Sequence, residues 1–310
     1  MKRLVFILAL LLAAAQSLGA QETYLFAKRD TCDLYLDVYR PEPGSQTLYE
    51  GKEKPTILFV FGGGFIIGSR NGKHQVAWFQ KLSQEGYGVV AIDYRLGMKG
   101  YKVGKGLSGT LEASKQFYLS QQMGVEDVFS AVSFLAAHPE CGVDVNNLVI
   151  SGSSAGAIIS LAAEYDICCG RTEGLPEGFN FKGVMSFAGG IISNSGAPVF
   201  KQEPCPILFL HGTADKAVAY NQFGAFGKGI WGSSFLAKQL KNKKYPHCIY
   251  RFDGRTHDVA AYMYVLLGEE ITFLEQCVIM GHRRNLDALV DDPDLPTWGN
   301  ISVDDIYKRN

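Results

Sequence analysis

Residues 148–163 read LVISGSSAGAIISLAA, and this stretch decides the fold. Its first three residues form the kind of apolar run that is typical of a buried strand, and residues 155–163 are apolar enough for a buried helix. Between the two lies Gly152-Ser153-Ser154-Ala155-Gly156, which fits the pattern G-x-S-x-G. The stretch predicts a strand, a tight turn and a helix, with Ser154 at the turn.

Ser154 is the serine best placed to act as a nucleophile in this turn. Gly152 and Gly156 leave room for the flanking strand and helix, and the Ser154 hydroxyl stands at the positive end of the helix that follows. Ser153 is the neighbouring alternative, but it lacks flanking glycines. A Gly/Ser-rich packing turn without catalytic function is the other interpretation, so the motif needs partners elsewhere in the chain.

Apolar segments on both sides of this turn alternate between strand and helix patterns. We predict strands at 34–38, 56–61, 88–93, 181–188, 206–210 and 248–252, and helices at 126–138, 235–243 and 259–278. Buried strands that alternate with helices predict an α/β fold, with a mostly parallel central sheet and helices on both faces. Because no linker, repeat or composition shift interrupts residues 21–310, we expect them to form one domain.

The composition excludes several classes of protein. The 310 residues are 47% hydrophobic and 20% charged, which is the range of folded globular chains and not of disordered ones. Lys plus Arg total 30 against 31 Asp plus Glu, so the net charge of −1 gives no electrostatic reason to expect a nucleic-acid partner.

The first twenty residues have the pattern of a secretory signal peptide. Lys2 and Arg3 precede an apolar run from Leu4 to Ala15, and Ser17 to Ala20 supply small residues for cleavage. The run is too short for a membrane-spanning helix, and we expect no membrane span in the rest of the chain. The predicted location is therefore secreted or periplasmic.

All seven cysteines lie after this leader. In an exported protein some of them could pair, but their spacing does not show which, and an odd number leaves a monomer with at least one free thiol. No C-x-x-C or H-E-x-x-H motif is present, so we expect neither a metal site nor another cofactor.

A serine hydroxyl needs a histidine to accept its proton and an acid to orient that histidine. Three of the six histidines follow both Ser154 and a plausible acid, and we favour His257 over His247 and His282 because it lies in a loop directly after a predicted strand. For the acid we favour Asp215, which follows a separate strand. Asp253 and Asp258 also qualify but are very close in sequence to His257. We interpret His211, at the same strand end as Asp215, as structural.

Three glycines follow the strand at 56–61. Gly62-Gly63-Gly64 allows bare backbone to approach a substrate, and backbone N–H groups there are suited to bind the negative charge that develops on a carbonyl oxygen. The Ala155 N–H is the expected further donor. A glycine turn without function is the alternative.

Taken together, these motifs resemble the α/β-hydrolases, and within them the carboxylesterases related to hormone-sensitive lipase and the bacterial feruloyl and acetyl carbohydrate esterases. The resemblance rests on four segments: Phe61-Gly-Gly-Gly-Phe65, Asp93-Tyr-Arg-Leu96, Asn147 to Gly156, and His211-Gly-Thr-Ala-Asp215. It implies the α/β-hydrolase fold, an oxyanion hole with donors at Gly63 and Gly64, and a serine carboxylesterase activity on a small-molecule or carbohydrate ester. Phe61 stands where the family has a histidine, and Ala157 where it often has a third glycine.

Other functions and the substrate pocket stay open. A serine peptidase of the same fold and a non-catalytic binding protein on a hydrolase scaffold are the alternatives. The connection at 96–124 is either a lid or rim of the pocket or a solvated loop. The segment 217–233 carries Tyr220, Phe223, Phe226 and Trp231, which either line a pocket or pack in the core.

Overall fold

The computed structural model describes residues 21–297, so the predicted signal peptide at 1–20 lies outside the described residues. A nine-stranded sheet runs through the molecule. Its strands, numbered along the chain, are β1 Glu22–Lys28, β2 Asp33–Tyr39, β5 Thr56–Val60, β6 Val89–Ile92, β7 Leu148–Ser153, β8 Gly183–Phe187, β10 Ile207–Gly212, β13 His247–Phe252 and β14 Asn285–Val290. Across the sheet they lie in the order β1-β2-β6-β5-β7-β8-β10-β13-β14.

The seven strands from β6 to β14 in this order pair in parallel. Strand β2 pairs antiparallel to β6, and the edge strand β1 pairs antiparallel to β2. The predicted mostly parallel sheet of an α/β-hydrolase is confirmed. Its central strands are buried along their whole length, which explains their continuous apolar sequences. The other strands of the described residues form two small sheets. One pairs β3 Leu48–Tyr49 with β4 Lys52–Glu53, and the other joins β11 Gln222–Ala225, β12 Lys228–Gly232 and β9 Gly190–Ser193.

Five α-helices occur in the described part of the chain. They are α1 Lys73–Gln84, α2 Gly106–Ala137, α3 Ala155–Cys168, α4 Ser233–Lys243 and α5 Leu267–Phe273. Helix α1 packs Trp78, Phe79 and Leu82 into the core, although its sequence gave us no helix prediction. No helix among residues 21–297 is long and apolar enough to cross a membrane.

Two helix predictions were wrong in their extent. Helix α2 begins at Gly106, not near 126, so most of the connection at 96–124 is helical. Glycines at 106, 109 and 124 weaken its helical pattern, but tertiary contacts compensate: the Gln121 side chain bonds both the N–H and the C=O of Ile192, at 2.8 and 3.0 Å.

The predicted helix at 259–278 is broken into three pieces. A 3₁₀ helix at His257–Tyr264 precedes α5, and a π-helical turn follows at Leu274–Ile279. The Ala260 carbonyl accepts a 2.6 Å hydrogen bond from the Ser153 hydroxyl of β7. This contact binds the 3₁₀ segment to the end of the sheet, a constraint that hydrophobic periodicity does not show.

Candidate active site

The parallel strands place the predicted site residues at one edge of the sheet. Strands β5, β7, β10 and β13 all end on this side: Val60 at the end of β5 lies opposite Gly152, one residue before the end of β7, and the last residues of β10 and β13, Gly212 and Phe252, lie opposite each other. Loops that follow such strand ends form the usual ligand crevice of an open α/β sheet.

Ser154 lies between β7 and α3 in a strained backbone conformation. Its φ is 52° and its ψ is −116°, values that a residue with a side chain rarely adopts. The flanking glycines are required by contact: a Cβ at Gly152 would lie 2.3 Å from the Gly156 carbonyl, and one at Gly156 would lie 2.0 Å from the Val60 oxygen. The turn presents the Ser154 hydroxyl at the start of α3, as the motif predicts.

His257 faces this hydroxyl directly. Its Nε2 lies 2.8 Å from Ser154 Oγ, and its Nδ1 lies 2.7 Å from Asp215 Oδ2. Because a carboxylate only accepts hydrogen bonds, Nδ1 carries the proton in the neutral ring, which leaves Nε2 to accept the proton of the serine. The two loops are also joined through their backbones, since Ala214 N–H donates to the Arg255 carbonyl at 2.9 Å.

The Asp215 carboxylate is held by four hydrogen bonds. Its Oδ1 accepts from the N–H groups of Ala217 and Val218 at 2.8 and 3.0 Å, and its Oδ2 accepts from His257 and His211. Burial raises the pKa of Asp215, but the hydrogen bonds from the two histidines outweigh burial and hold the pKa well below its usual range. Asp215 is therefore an anion throughout the neutral range.

His211 contributes more than sequence reasoning assigned to it. Its Nε2 lies 3.1 Å from Asp215 Oδ2 and 3.2 Å from the Val218 carbonyl, and two acceptors require a proton on this nitrogen. Its Nδ1 lies 2.8 Å from Ser233 Oγ, which fixes the ring from the other side. The signal that could have shown this contact is its spacing of four residues from Asp215 at one strand end.

The other candidates occupy different positions. The Ser153 hydroxyl donates a hydrogen bond to the Ala260 carbonyl, and Asp253 accepts one from the Thr213 hydroxyl at 3.2 Å. Asp258 is buried beside His257. His247 is buried at the start of β13, where its Nδ1 lies 2.9 Å from the Tyr245 carbonyl, and His282 is exposed beyond the last helix.

The glycine turn lies against the turn that carries Ser154. A Cβ at Gly62 would lie 2.9 Å from the Ser153 carbonyl oxygen and 3.3 Å from Ser154 Cβ, so only a glycine fits. Gly63 and Gly64 follow with φ values of 118° and 64°. This is the close backbone approach that an oxyanion hole needs, and the donor roles of Gly63, Gly64 and Ala155 stay predictions.

An aromatic contact supports the turn where the family has a histidine. The ring of Phe61 packs on Tyr94 with centroids 4.4 Å apart, and the Tyr94 hydroxyl donates to the Phe61 carbonyl at 3.1 Å. Tyr94 belongs to the Asp93-Tyr-Arg-Leu segment, whose neighbour Arg95 forms an ion pair with the fully buried Asp127 at 2.9 Å.

The four aromatic residues of segment 217–233 divide into two groups. Trp231 is buried, and Tyr220 is half-buried and accepts a hydrogen bond from Arg251. Phe223 and Phe226, in contrast, are 77% and 97% exposed on the β11–β12 hairpin. Core packing therefore explains the first pair and not the second.

The comparisons with known proteins support the fold. The carboxylesterase family matches residues 14–163. An esterase of the Planctomycetes species Thermogutta terrifontis has a similar structure, with a TM-score of 0.54 and 21% identity over 83% of this chain and 93% of that one. At this level of identity the likeness shows the fold.

Matches to curated proteins are partial. The secreted lipase 5 of Gibberella zeae is 29% identical over 128 residues, which cover 40% of this chain and 22% of that protein. The non-reducing polyketide synthase prhL of Penicillium brasilianum is 36% identical over 76 residues, which cover 24% of this chain and 3% of that protein. The chain thus spans a small fraction of the lengths of these relatives.

The mostly parallel sheet and the strand–turn–helix around Ser154 show the α/β-hydrolase fold. Within this fold, residues 14–163, about half of the chain, match the carboxylesterase family. Among residues 21–297, no group of three or more His, Cys, Asp or Glu side chains is arranged to hold a metal ion.

Proposed function

We propose that the protein is a serine carboxylesterase that hydrolyses acyl esters through an acyl-enzyme on Ser154. The observation that carries this proposal is the continuous chain of hydrogen bonds from Ser154 Oγ through His257 to Asp215, at 2.8 and 2.7 Å. All three side chains are buried to at least nine-tenths at the ends of β7, β10 and β13. Such a chain supplies a nucleophile, a base and an orienting acid in one line.

Acylation starts when Ser154 Oγ attacks the carbonyl carbon of the ester. His257 Nε2 takes the hydroxyl proton, and the Asp215 carboxylate stabilises the imidazolium that forms. The tetrahedral intermediate collapses as His257 returns the proton to the leaving alcohol. A water molecule then attacks the acyl-enzyme by the same route, and the free acid and Ser154 are released.

Negative charge on the carbonyl oxygen is the largest electrostatic demand of both steps. The Ala155 N–H at the start of α3 and the N–H groups of Gly63 and Gly64 are our proposed donors. A single donor of this kind contributes roughly 3–4 kcal/mol to transition-state binding. The positive end of α3 acts in the same direction, because backbone N–H groups in its first turn have no partner within the helix.

For the substrate class we propose an acyl group carried by a carbohydrate, of the acetyl or feruloyl type. The support is the exposed pair Phe223 and Phe226, whose hairpin directly follows the loop that carries Asp215. Flat aromatic rings on a protein surface suit the apolar faces of sugar rings and of phenolic acyl groups. The leader-like residues 1–20 agree with an exported enzyme that meets such substrates outside the cytoplasm.

The test compares the wild-type protein with Ser154→Ala and Ser153→Ala on p-nitrophenyl acetate. We expect Ser154→Ala to lower kcat by about 10⁴- to 10⁶-fold, as removal of a catalytic serine does elsewhere. Ser153→Ala is the matched control: it removes a neighbouring buried hydroxyl that supports the segment of His257 through the Ala260 carbonyl but does not touch the substrate, so its loss of rate should be far smaller than that of Ser154→Ala. Equal activity of the wild type and Ser154→Ala would contradict the proposal.

Acetylated xylan and methyl ferulate then test the substrate class. We expect turnover of at least one of them, and a Phe223→Ala/Phe226→Ala variant should lose that activity while it keeps hydrolysis of p-nitrophenyl acetate. Cleavage of peptide amides instead would favour the peptidase alternative. A folded wild-type protein that acts on none of these substrates would favour a non-catalytic binding protein.

A further inference from the structure

Two cysteines that are 29 residues apart in sequence lie close together in the fold. Cys248 lies on β13 and Cys277 in the π-helical turn Leu274–Ile279, and their sulfur atoms are 4.0 Å apart. Both residues are at least 95% buried. We propose that Cys248 and Cys277 form a disulfide that cross-links the central sheet to the C-terminal helical segment.

The separation of the two sulfurs requires only a small adjustment. A disulfide bond is about 2.05 Å long, so each sulfur must move by roughly 1 Å, which a modest rotation about its Cα–Cβ bond can provide. Cys248 and Cys277 also line a cavity of about 250 Å³ together with Tyr250, Arg284 and Asn285. An oxidant can therefore reach the sulfurs although little of their surface is exposed.

The surroundings favour Cys277 as the attacking thiol. A hydrogen bond from Cys248 and the charge of Arg284 lower the pKa of the Cys277 thiol, against the effect of burial. The same hydrogen bond and burial raise the pKa of the Cys248 thiol. The thiolate is the nucleophile in disulfide exchange, so the reaction begins at Cys277.

A disulfide oxidant such as oxidised glutathione balances the reaction. The Cys277 thiolate attacks one sulfur of the oxidant, and a mixed disulfide forms as one glutathione thiolate leaves. Cys248 then loses its proton and attacks the Cys277 sulfur, which expels the second glutathione. Two protein thiols are oxidised, one disulfide is reduced, and the two thiol protons pass to the two released thiolates.

Other cysteines have different surroundings. The Cys168 thiol donates to Glu164 Oε1 at 3.4 Å, and the Cys205 backbone N–H donates to the same oxygen. Burial raises the pKa of both thiols, which disfavours their reaction. Cys32 is exposed on the surface. The Cys248–Cys277 pair thus combines proximity, access and a favoured thiolate.

The cross-link closes the chain between residues 248 and 277, which includes His257. Closing a loop of about thirty residues restricts the unfolded chain, so the oxidised protein should unfold at a temperature about 5–10 °C higher than the reduced one. The inference is independent of the proposed function, because it concerns thiol chemistry and thermal stability and needs no enzymatic activity.

The experiment incubates the folded, reduced wild-type protein with oxidised glutathione, alkylates the remaining thiols and maps disulfides by peptide mass spectrometry. We expect a peptide pair joined through Cys248 and Cys277, and a rise in Tm that dithiothreitol reverses. Cys248→Ala and Cys277→Ala should each abolish the rise. Cys32→Ser is the matched control and should retain it.

Disulfide mapping uses the wild-type protein, so this part of the test does not depend on whether a cysteine variant folds. Cys248 and Cys277 that both remain alkylatable would overturn the proposal. A stable glutathione adduct on Cys277, or a disulfide between other cysteines, would do the same. A mapped Cys248–Cys277 bond that leaves Tm unchanged would overturn the inferred stabilisation of the loop.

Discussion

Asp215 and Glu270 are two carboxylates whose side chains are shielded from solvent, yet their surroundings favour opposite charge states. Asp215 accepts four hydrogen bonds, two from backbone N–H groups and two from histidines. Glu270 accepts one, from Trp78 Nε1 at 2.8 Å, and its Oε1 has no hydrogen-bond partner among the described residues. The pKa of Asp215 is lowered, whereas burial raises the pKa of Glu270 well above its usual range.

The comparison shows that burial alone does not set the charge of a carboxylate. Desolvation disfavours the anion at both positions, and only the donors at Asp215 compensate for it. A group that must orient His257 has to stay ionised, and at Asp215 the hydrogen bonds from His211 and His257 achieve this. At Glu270, burial with a single donor in the described part of the chain favours the protonated form, because an anion without further donors would be costly there.

Asp215→Asn should have the largest effect of the changes that test this comparison. An amide can no longer hold the His257 Nδ1–H as a carboxylate does, so the wrong tautomer faces Ser154. We expect kcat for p-nitrophenyl acetate to fall about 10⁴-fold, roughly 5 kcal/mol in the barrier. Asp253→Asn, at the exposed competing aspartate, is the control and should keep kcat within about twofold. A loss below tenfold in Asp215→Asn would show that the contact is not needed.

Glu270→Gln should change the pH dependence of stability. A raised folded-state pKa means that the folded protein holds its proton where the unfolded chain loses it, so stability falls as pH rises from the ordinary glutamate pKa toward the raised one. Between pH 5 and pH 8 we expect the wild type to lose more stability than Glu270→Gln, in urea unfolding at each pH. Glu269 is partly exposed, so Glu269→Gln should behave as the wild type. If stability depends on pH in the same way in all three proteins, the pKa of Glu270 is not raised.

Trp78→Phe removes the one hydrogen bond that Glu270 accepts. We expect a loss of about 2–3 kcal/mol in the free energy of unfolding, because a buried polar group is left without a partner and the smaller ring leaves space in the core. Urea unfolding measures the loss. In a Glu270→Leu background the same change should cost less, and an equal cost in both backgrounds would assign the effect to packing alone.

His211→Phe removes one of the four hydrogen bonds to Asp215 while it keeps an aromatic ring of similar shape. We expect kcat to fall about tenfold, roughly 1.4 kcal/mol, with KM changed less than twofold, because the contact positions Asp215 and does not touch the substrate. His211→Gln, which retains an N–H donor, should recover part of the rate. A change in KM alone would indicate a different role for His211.

Much of the fold follows from local sequence. The apolar runs at 56–61, 88–93, 148–150 and 206–210 correspond to β5, β6, β7 and β10, because strands buried on both faces leave little room for polar residues. Strands β1, β9, β11, β12 and β14 escaped prediction, and several of them are short or exposed. The first half of helix α2 was not predicted, because its local sequence has a weak helical preference and tertiary contacts such as those of Gln121 stabilise the helix instead.

For the candidate site, residue types and spacing selected Ser154, Asp215 and His257, and the structure brings these three together. Sequence reasoning did not find the hydrogen bond of His211 to Asp215, nor the contact of Gly62 with the nucleophile turn. The first contact lies within one short segment, where a spacing of four residues permits it but does not show which way the imidazole turns. The second depends on how two distant chain segments approach each other.

The sequence by itself determined the strand–turn–helix around Ser154 and the alternating order of strands and helices, because periodicity and glycine placement act over a few residues. Only the tertiary structure decided which side chains meet across 42 residues, as Asp215 and His257 do, or across 103, as His257 and Ser154 do. It also decided that Glu270 accepts a single side-chain hydrogen bond among the described residues, from Trp78, and that the sulfurs of Cys248 and Cys277 lie 4.0 Å apart. The physical reason is that parallel strands gather their ends at one edge, and helices pack distant segments onto the sheet, so these contacts arise from packing and not from proximity in the chain.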